Sequence, residues 1–181
     1  MAAVPVASLV FLDEAGFSLN MSRLYGWSQS DARCVECAPF QRGKNRSVLG
    51  AFCVSGMVAF VAREGAFKRD ALEAFFETTL LPALPTGSVL VLDNARIHHG
   101  GRIAELVEGA GCSLLYLPPY SPDFSPIEPA WSYVKGLVRG DAPRTDEARD
   151  VSITKAMRAI PEKCARAWFK HCGYETDRGN Q

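Results

Sequence analysis

Four prolines, Pro118, Pro119, Pro122 and Pro126, fall within nine residues and restrict the backbone there more than anywhere else in the chain. Proline locks φ and offers no N–H, so residues 118–126 can form neither a helix interior nor a central strand. The segment reads as a stiff connector, and its limited freedom when unfolded lowers the entropic cost of holding it in one shape. It stands between a short strand-like run, residues 113–117, and a helical pattern. In that pattern Ile127, Trp131, Val134 and Val138 recur at i, i+4, i+7 and i+11. The connector therefore dictates where that helix begins.

The rest of the chain supplies the layers around it. Residues 7–13 are an apolar run of strand formers ending on Asp13. Residues 16–47 show no sustained period and read as loop with room for a hairpin, with Arg42, Lys44 and Arg46 as a short basic patch. Residues 48–55 and 57–62, joined around Gly56, form a predicted β-hairpin. Leu72, Phe75, Phe76 and Leu80 mark a helix over 68–81 that Pro82 and Pro85 stop. Residues 88–92 make another interior strand, ending on Asp93; Ile103, Leu106 and Val107 mark a helix closed by Gly109 and Gly111. Residues 146–172 are helical in character and basic. The order strand, hairpin, helix, strand, helix, strand, helix, helix predicts an α/β fold. Its mixed five-stranded sheet is flanked by helices.

A length of 181 residues allows one domain with a sizeable core. No apolar run reaches bilayer length, and no basic stretch precedes the N-terminal apolar residues, so the expectation is a cytoplasmic protein with no membrane partner. Cys53 and Cys112 lie in apolar runs and read as small buried hydrophobes. Cys34 and Cys37 offer two ligands of zinc type, which Cys164, His171 and Cys172 would have to complete. That spacing matches no zinc module, and thiols in a loop are the expected state. The zero net charge divides unevenly: residues 1–129 hold 10 Lys+Arg against 13 Asp+Glu, and residues 130–181 hold 10 against 7. A neutral total is compatible with an acidic pocket beside a basic tail, and equally with a chance asymmetry on a solvated surface.

Asp13 and Asp93 each end an apolar strand, where an acid is costly unless something compensates it. Two such acids suggest a shared cation. Glu128 lies in the first turn of the helix after the connector, where the dipole favours its ionised form. Residues 125–128 also spell a capping box, with Ser125 as N-cap, Pro126 at the first position and Glu128 at the third. From spacing alone Glu128 is as readily a cap as a ligand.

Three blocks then resemble a known family: Leu12-Asp13-Glu14-Ala15-Gly16-Phe17-Ser18, the run from Val91 to His99, and the run from Leu117 through the prolines to Glu128-Pro129-Ala130-Trp131. They are similar to the catalytic blocks of mariner-like bacterial transposases of the insertion sequence six-thirty type. The interval of 34 residues between Asp93 and Glu128 suits that group. The resemblance implies an RNase H-like (retroviral-integrase-like) fold over residues 1–145, with 146–181 a basic helical extension of the same domain. It implies cutting and joining of DNA with two divalent metal ions, Mg²⁺ or Mn²⁺, held by Asp13, Asp93 and Glu128, and so favours ligand over cap. It also implies terminal inverted repeats and a TA-type target as DNA partners, action as a homodimer, and a nucleoid location when bound. Members of the type carry an N-terminal helix-turn-helix region. Because Met1 stands just before the first strand, that region is expected to be encoded separately or joined by frameshift.

Around the acids, Glu14 is expected as a supporting partner, and Asn94, His98 and His99 as residues bordering the site. Lys135, seven residues after Glu128, shares its helix face and is expected to meet a phosphate, with Arg139, Arg144 and Arg149 extending the track. A solvated helix face explains any one of them equally well. Trp131 reads as core. Two alternative functions share the same acids: a stand-alone RNase H-like nuclease, and a truncated, non-catalytic element product acting as a binding partner.

Overall fold

The computed structural model describes residues 4–37, 40, 43–94 and 101–175. Five strands, β1 (Leu9–Phe17), β2 (Arg46–Cys53), β3 (Gly56–Glu64), β4 (Val89–Leu92) and β5 (Ser113–Tyr116), form one sheet in the order β3-β2-β1-β4-β5. β1, β2 and β3 pair antiparallel, while β4 and β5 join parallel to β1 and to each other. The helices are α1 (Arg69–Phe75), α2 (Gly101–Gly109), α3 (Ile127–Asp141), α4 (Asp146–Arg158) and α5 (Glu162–His171). This is the mixed, helix-flanked sheet expected from the order of periodic segments.

The alternation of β1 divides the core. Leu9, Phe11, Ala15 and Phe17 face α3, α4 and α5, packing with Ile127, Val134, Val138, Met157 and Phe169. Val10 and Leu12 face α1 and α2, packing with Leu72, Phe76, Ile103 and Val107. The predicted helical stripe after Lys68 is buried throughout, although its second half, Phe76–Leu80, loosens into a π turn ahead of Pro82.

One strand end departs from expectation. β1 does not stop at Asp13 but continues four residues to Phe17, because β2 supplies antiparallel partners as far as Phe17↔Arg46. What ends near Asp13 is the other edge. Parallel pairing with β4 reaches Phe11↔Val91, and β4 itself closes at Leu92. Carried two residues further, that register sets Asp13 opposite Asp93, where β1 and β4 have parted.

The expected arginine track is also corrected. Arg149 is 0% exposed, and its Nη1 donates to the Lys44 carbonyl at 2.7 Å while Nη2 lies 2.8 Å from Asp146 Oδ1. Arg144 donates to the Cys37 carbonyl at 2.7 Å. Both hold the long β1–β2 loop against α4 and its approach, and the fully buried Arg149 guanidinium is closed to a phosphate. Arg46, read as part of a loop patch, begins β2 and forms a two-pronged pair with Asp150. Arg42 lies outside the described residues. Cys112 is buried, but Cys53 is only half-buried, with Sγ 3.0 Å from Ser55 Oγ. Among the described residues no helix is long and apolar enough to cross a membrane.

Candidate active site

The parting of β1 and β4 opens a pocket of about 450 Å³. Its lining includes Asp13 from β1, Asp93 and Asn94 just past β4, the connector from Leu117 to Pro122, and Ser125 and Glu128 at the start of α3. Loops at the carboxyl ends of parallel strands are where such sheets build sites. The connector is tied at both ends. The N–H of Leu117 donates to the Leu92 carbonyl at 2.8 Å, and Tyr174, beyond α5, donates its hydroxyl to the Phe124 carbonyl at 2.8 Å. Between these ties Tyr120 takes φ +57°, a conformation that side chains seldom adopt, and its ring stands in solvent beside the pocket.

The capping-box reading of Glu128 fails on the helix's own hydrogen bonds. The N–H of Ser125, which Glu128 would have to reach, already donates to the Pro122 carbonyl at 2.9 Å in a single 3₁₀ turn. Pro126 takes the N-cap position with no side-chain cap bond, and the exposed Glu128 carboxylate borders the pocket.

Asp13 shares the sheet face of Ala15 and Phe17, turned toward α3. Its carboxyl is pushed up from 3.8 to about 7. Burial is the main cause; Glu128, and less strongly Asp93, add like-charge repulsion. The Glu14 main-chain N–H and the Trp131 indole oppose the shift by donating to the carboxylate. The indole bond is explicit: Trp131 Nε1 donates to Asp13 Oδ2 at 2.9 Å. Trp131 is thus core, as read from its stripe, and also a core side chain of α3 that touches an acid of the pocket. Among the described residues, no three His, Cys, Asp or Glu side chains converge tightly enough to enclose an ion as they stand.

The other expected residues divide. Asn94 lines the pocket. Glu14 contributes its main chain only, since strand alternation sends its carboxylate to the opposite face from Asp13, in register with Leu49. Lys135 is half-buried on α3, two turns beyond Glu128, and pairs with none of the described acids. His98 and His99 lie outside the described residues. Cys34 and Cys37 are exposed, and no third ligand joins them among the described residues. Gly50, unremarked in the sequence, is the β2 residue directly opposite Asp13. An isolated glycine inside a strand pattern was the available signal, for it often marks a close approach.

The comparisons with known proteins agree with this architecture. Transposable element Tcb2 transposase of Caenorhabditis briggsae is 26% identical over 165 residues, spanning 86% of this chain and 60% of that protein. The Mos1 transposase paired-end complex with left transposon end superposes with TM-score 0.75 at 15% identity, covering 92% of this chain and 52% of that one. The Mos1 mariner paired end complex with Mn gives 0.71 at 16%, covering 92% and 53%. These structures share the RNase H-like fold with this chain, which spans between half and three-fifths of the length of the relatives it matches. The model of the DDE superfamily endonuclease family matches residues 8–149. With most of its length matched and its sheet built in the same way, this chain belongs to the DDE superfamily endonucleases.

Proposed function

We propose that the chain is the catalytic domain of a mariner-like DNA transposase, with Asp13, Asp93 and Glu128 holding two divalent metal ions. The observation that carries this reading is that three acids far apart in sequence, on β1, after β4 and in the first turn of α3, border one pocket. The donor set is all carboxylate oxygen, which suits hard cations such as Mg²⁺ and Mn²⁺. Repulsion within the cluster, felt most by Asp13, disfavours ionising all three acids together unless a cation offsets it. Of the two similar Mos1 structures, one is a complex with Mn and the other a complex with a transposon end, and both are in keeping with the same reading.

When bound, such ions activate a nucleophile and stabilise a leaving oxygen in an in-line displacement at phosphorus. Asp13, opposite Asp93 in the β1/β4 register and on the face of α3, would hold the ions together with Asp93 and Glu128, an assignment supported by analogy of fold. Asn94, which lines the same pocket, would border the reacting phosphate. In cleavage a water oxygen bonds to phosphorus, the bond to the DNA 3′ oxygen breaks, and that oxygen leaves as the 3′-hydroxyl. In joining, a DNA 3′-hydroxyl takes the place of water. The 34-residue interval between Asp93 and Glu128 favours the insertion sequence six-thirty branch, with inverted-repeat ends, TA targets and a dimer on DNA as the accompanying expectations.

Asp93→Asn tests the assignment, because it removes charge with almost no change of shape. Nicking of element-end DNA in Mg²⁺ or Mn²⁺ should fall by ~100-fold or more while the circular dichroism spectrum stays unchanged. Undiminished nicking would refute the role. A crystal soaked in Mn²⁺ should place metal between Asp13, Asp93 and Glu128, and metal bound only elsewhere would refute the ligand set.

A further inference from the structure

We infer that Trp131 is a positioning residue for Asp13. The benzo edge of its indole sits in the space left by Gly50, while its N–H fixes one carboxylate oxygen of Asp13 and sets α3, and with it Glu128, against β1. The inference rests on the transposase reading above and adds to it how two of the acids are held in register.

The geometry is specific. Trp131 is 2% exposed, and its ring meets the edge of Phe17 at 6.4 Å and 72°. A buried indole N–H needs an acceptor, and here that acceptor is Asp13 Oδ2 at 2.9 Å. A donor to a carboxylate makes one of the stronger hydrogen bonds available to a neutral group. Gly50 makes the seat possible. A Cβ at that position would stand 2.9 Å from Trp131 Cη2, 3.1 Å from Cζ2 and 3.3 Å from Met57 Sδ. Any side chain there would push the indole away from the strand pair carrying Asp13. Trp131 and Glu128 are three residues apart on α3, so they rise from neighbouring positions on one helix. A bond that fixes Trp131 to β1 therefore also fixes how far Glu128 stands from Asp13. The acceptor this buried N–H finds is one of the three acids that border the pocket.

Trp131→Phe keeps a large ring and deletes the donor; Gly50→Ala keeps the donor and displaces the ring. Each variant of the full chain should remain folded but bind Mn²⁺ about 10- to 100-fold more weakly in an electron paramagnetic resonance titration. The double variant should be little worse than either. The chain has three tryptophans, hence three indole N–H signals in a ¹⁵N-resolved NMR spectrum. The signal missing from Trp131→Phe should exchange slowly with solvent, shift in Asp13→Asn and broaden on adding Mn²⁺. A Trp131→Phe chain that binds Mn²⁺ like the wild type, or an indole signal indifferent to Asp13→Asn, would overturn the inference. If that signal answers to Asp13→Asn but Mn²⁺ binds neither wild type nor variant, the bond stands and the metal reading falls.

Discussion

Arg149 and Asp13, the first fully and the second partly withdrawn from solvent, are treated in opposite ways. Arg149 is 0% exposed, and what surrounds it is negative or accepting: Asp146, Asp150 and the Lys44 carbonyl. Among the described residues its Nε–H, 3.7 Å from Asp150 Oδ1, and the Asp146 Oδ1 beside its Nη2 complete no hydrogen bond. Asp13 is half-buried beside neighbours of its own sign, Glu128 and Asp93, and is relieved by two N–H donors. A buried charge that serves the fold is neutralised by its surroundings. One drawn from solvent beside like charge instead raises the free energy of the fold when ionised, a cost that the proposed cations would offset.

The largest effect should come from breaking the compensated group. Arg149→Ala takes from Asp146 its guanidinium partner, empties a fully buried site and removes one tie of the β1–β2 loop. It should cost about 3–5 kcal/mol in urea denaturation. A cost under about 1 kcal/mol would mean the cluster around Arg149 contributes little.

Asp13→Asn should act in the opposite direction. The folded carboxyl titrates near 7 against 3.8 in the unfolded chain, so the fold binds the proton more tightly. For that reason the stability of the metal-free wild type falls as pH rises from about 4 to about 7, then levels. Asparagine escapes that loss. The variant should be more stable by on the order of 2–4 kcal/mol at pH 8 in chelator, with the advantage fading toward pH 4. Parallel stability profiles for the two proteins would show that Asp13 is not strained.

Glu128→Gln gives the smallest change in stability, because Glu128 is exposed and caps nothing. We expect a shift within about 0.5 kcal/mol, together with loss of metal-dependent nicking. A helix cap would show the reverse, a loss of about 1 kcal/mol with nicking intact.

The same pair of charges shows where local reading stops. Arg149 and its neighbour Arg144 look in sequence like a basic helix face, because charge spacing carries no information about which loop folds against it. Only the β1–β2 loop, arriving from a hundred residues away, turns them into anchors. Asp13 was legible as an acid closing an apolar run. That acid proved to stand at the middle of β1, since pairing with β2 extends the strand to Phe17 regardless of its local propensity. The role of Trp131 was invisible for the opposite reason: its helical period explains its burial completely and gives no prompt to search for an acceptor.

By itself the sequence determined the elements whose causes are local. The proline connector, the apolar stripes of α1 and α3 and the hairpin around Gly56 follow from dihedral restriction and periodicity, whereas the three acidic blocks were legible through their resemblance to a family. Tertiary structure decided what depends on residues meeting across the sheet. It opened the pocket where β4 ends before β1 does, and it left Glu128 free of its cap because a 3₁₀ turn had already taken the Ser125 N–H. It also set an indole on Asp13 across the space left by a glycine. Register and side-chain approach between distant segments are set by packing, and no local pattern encodes them.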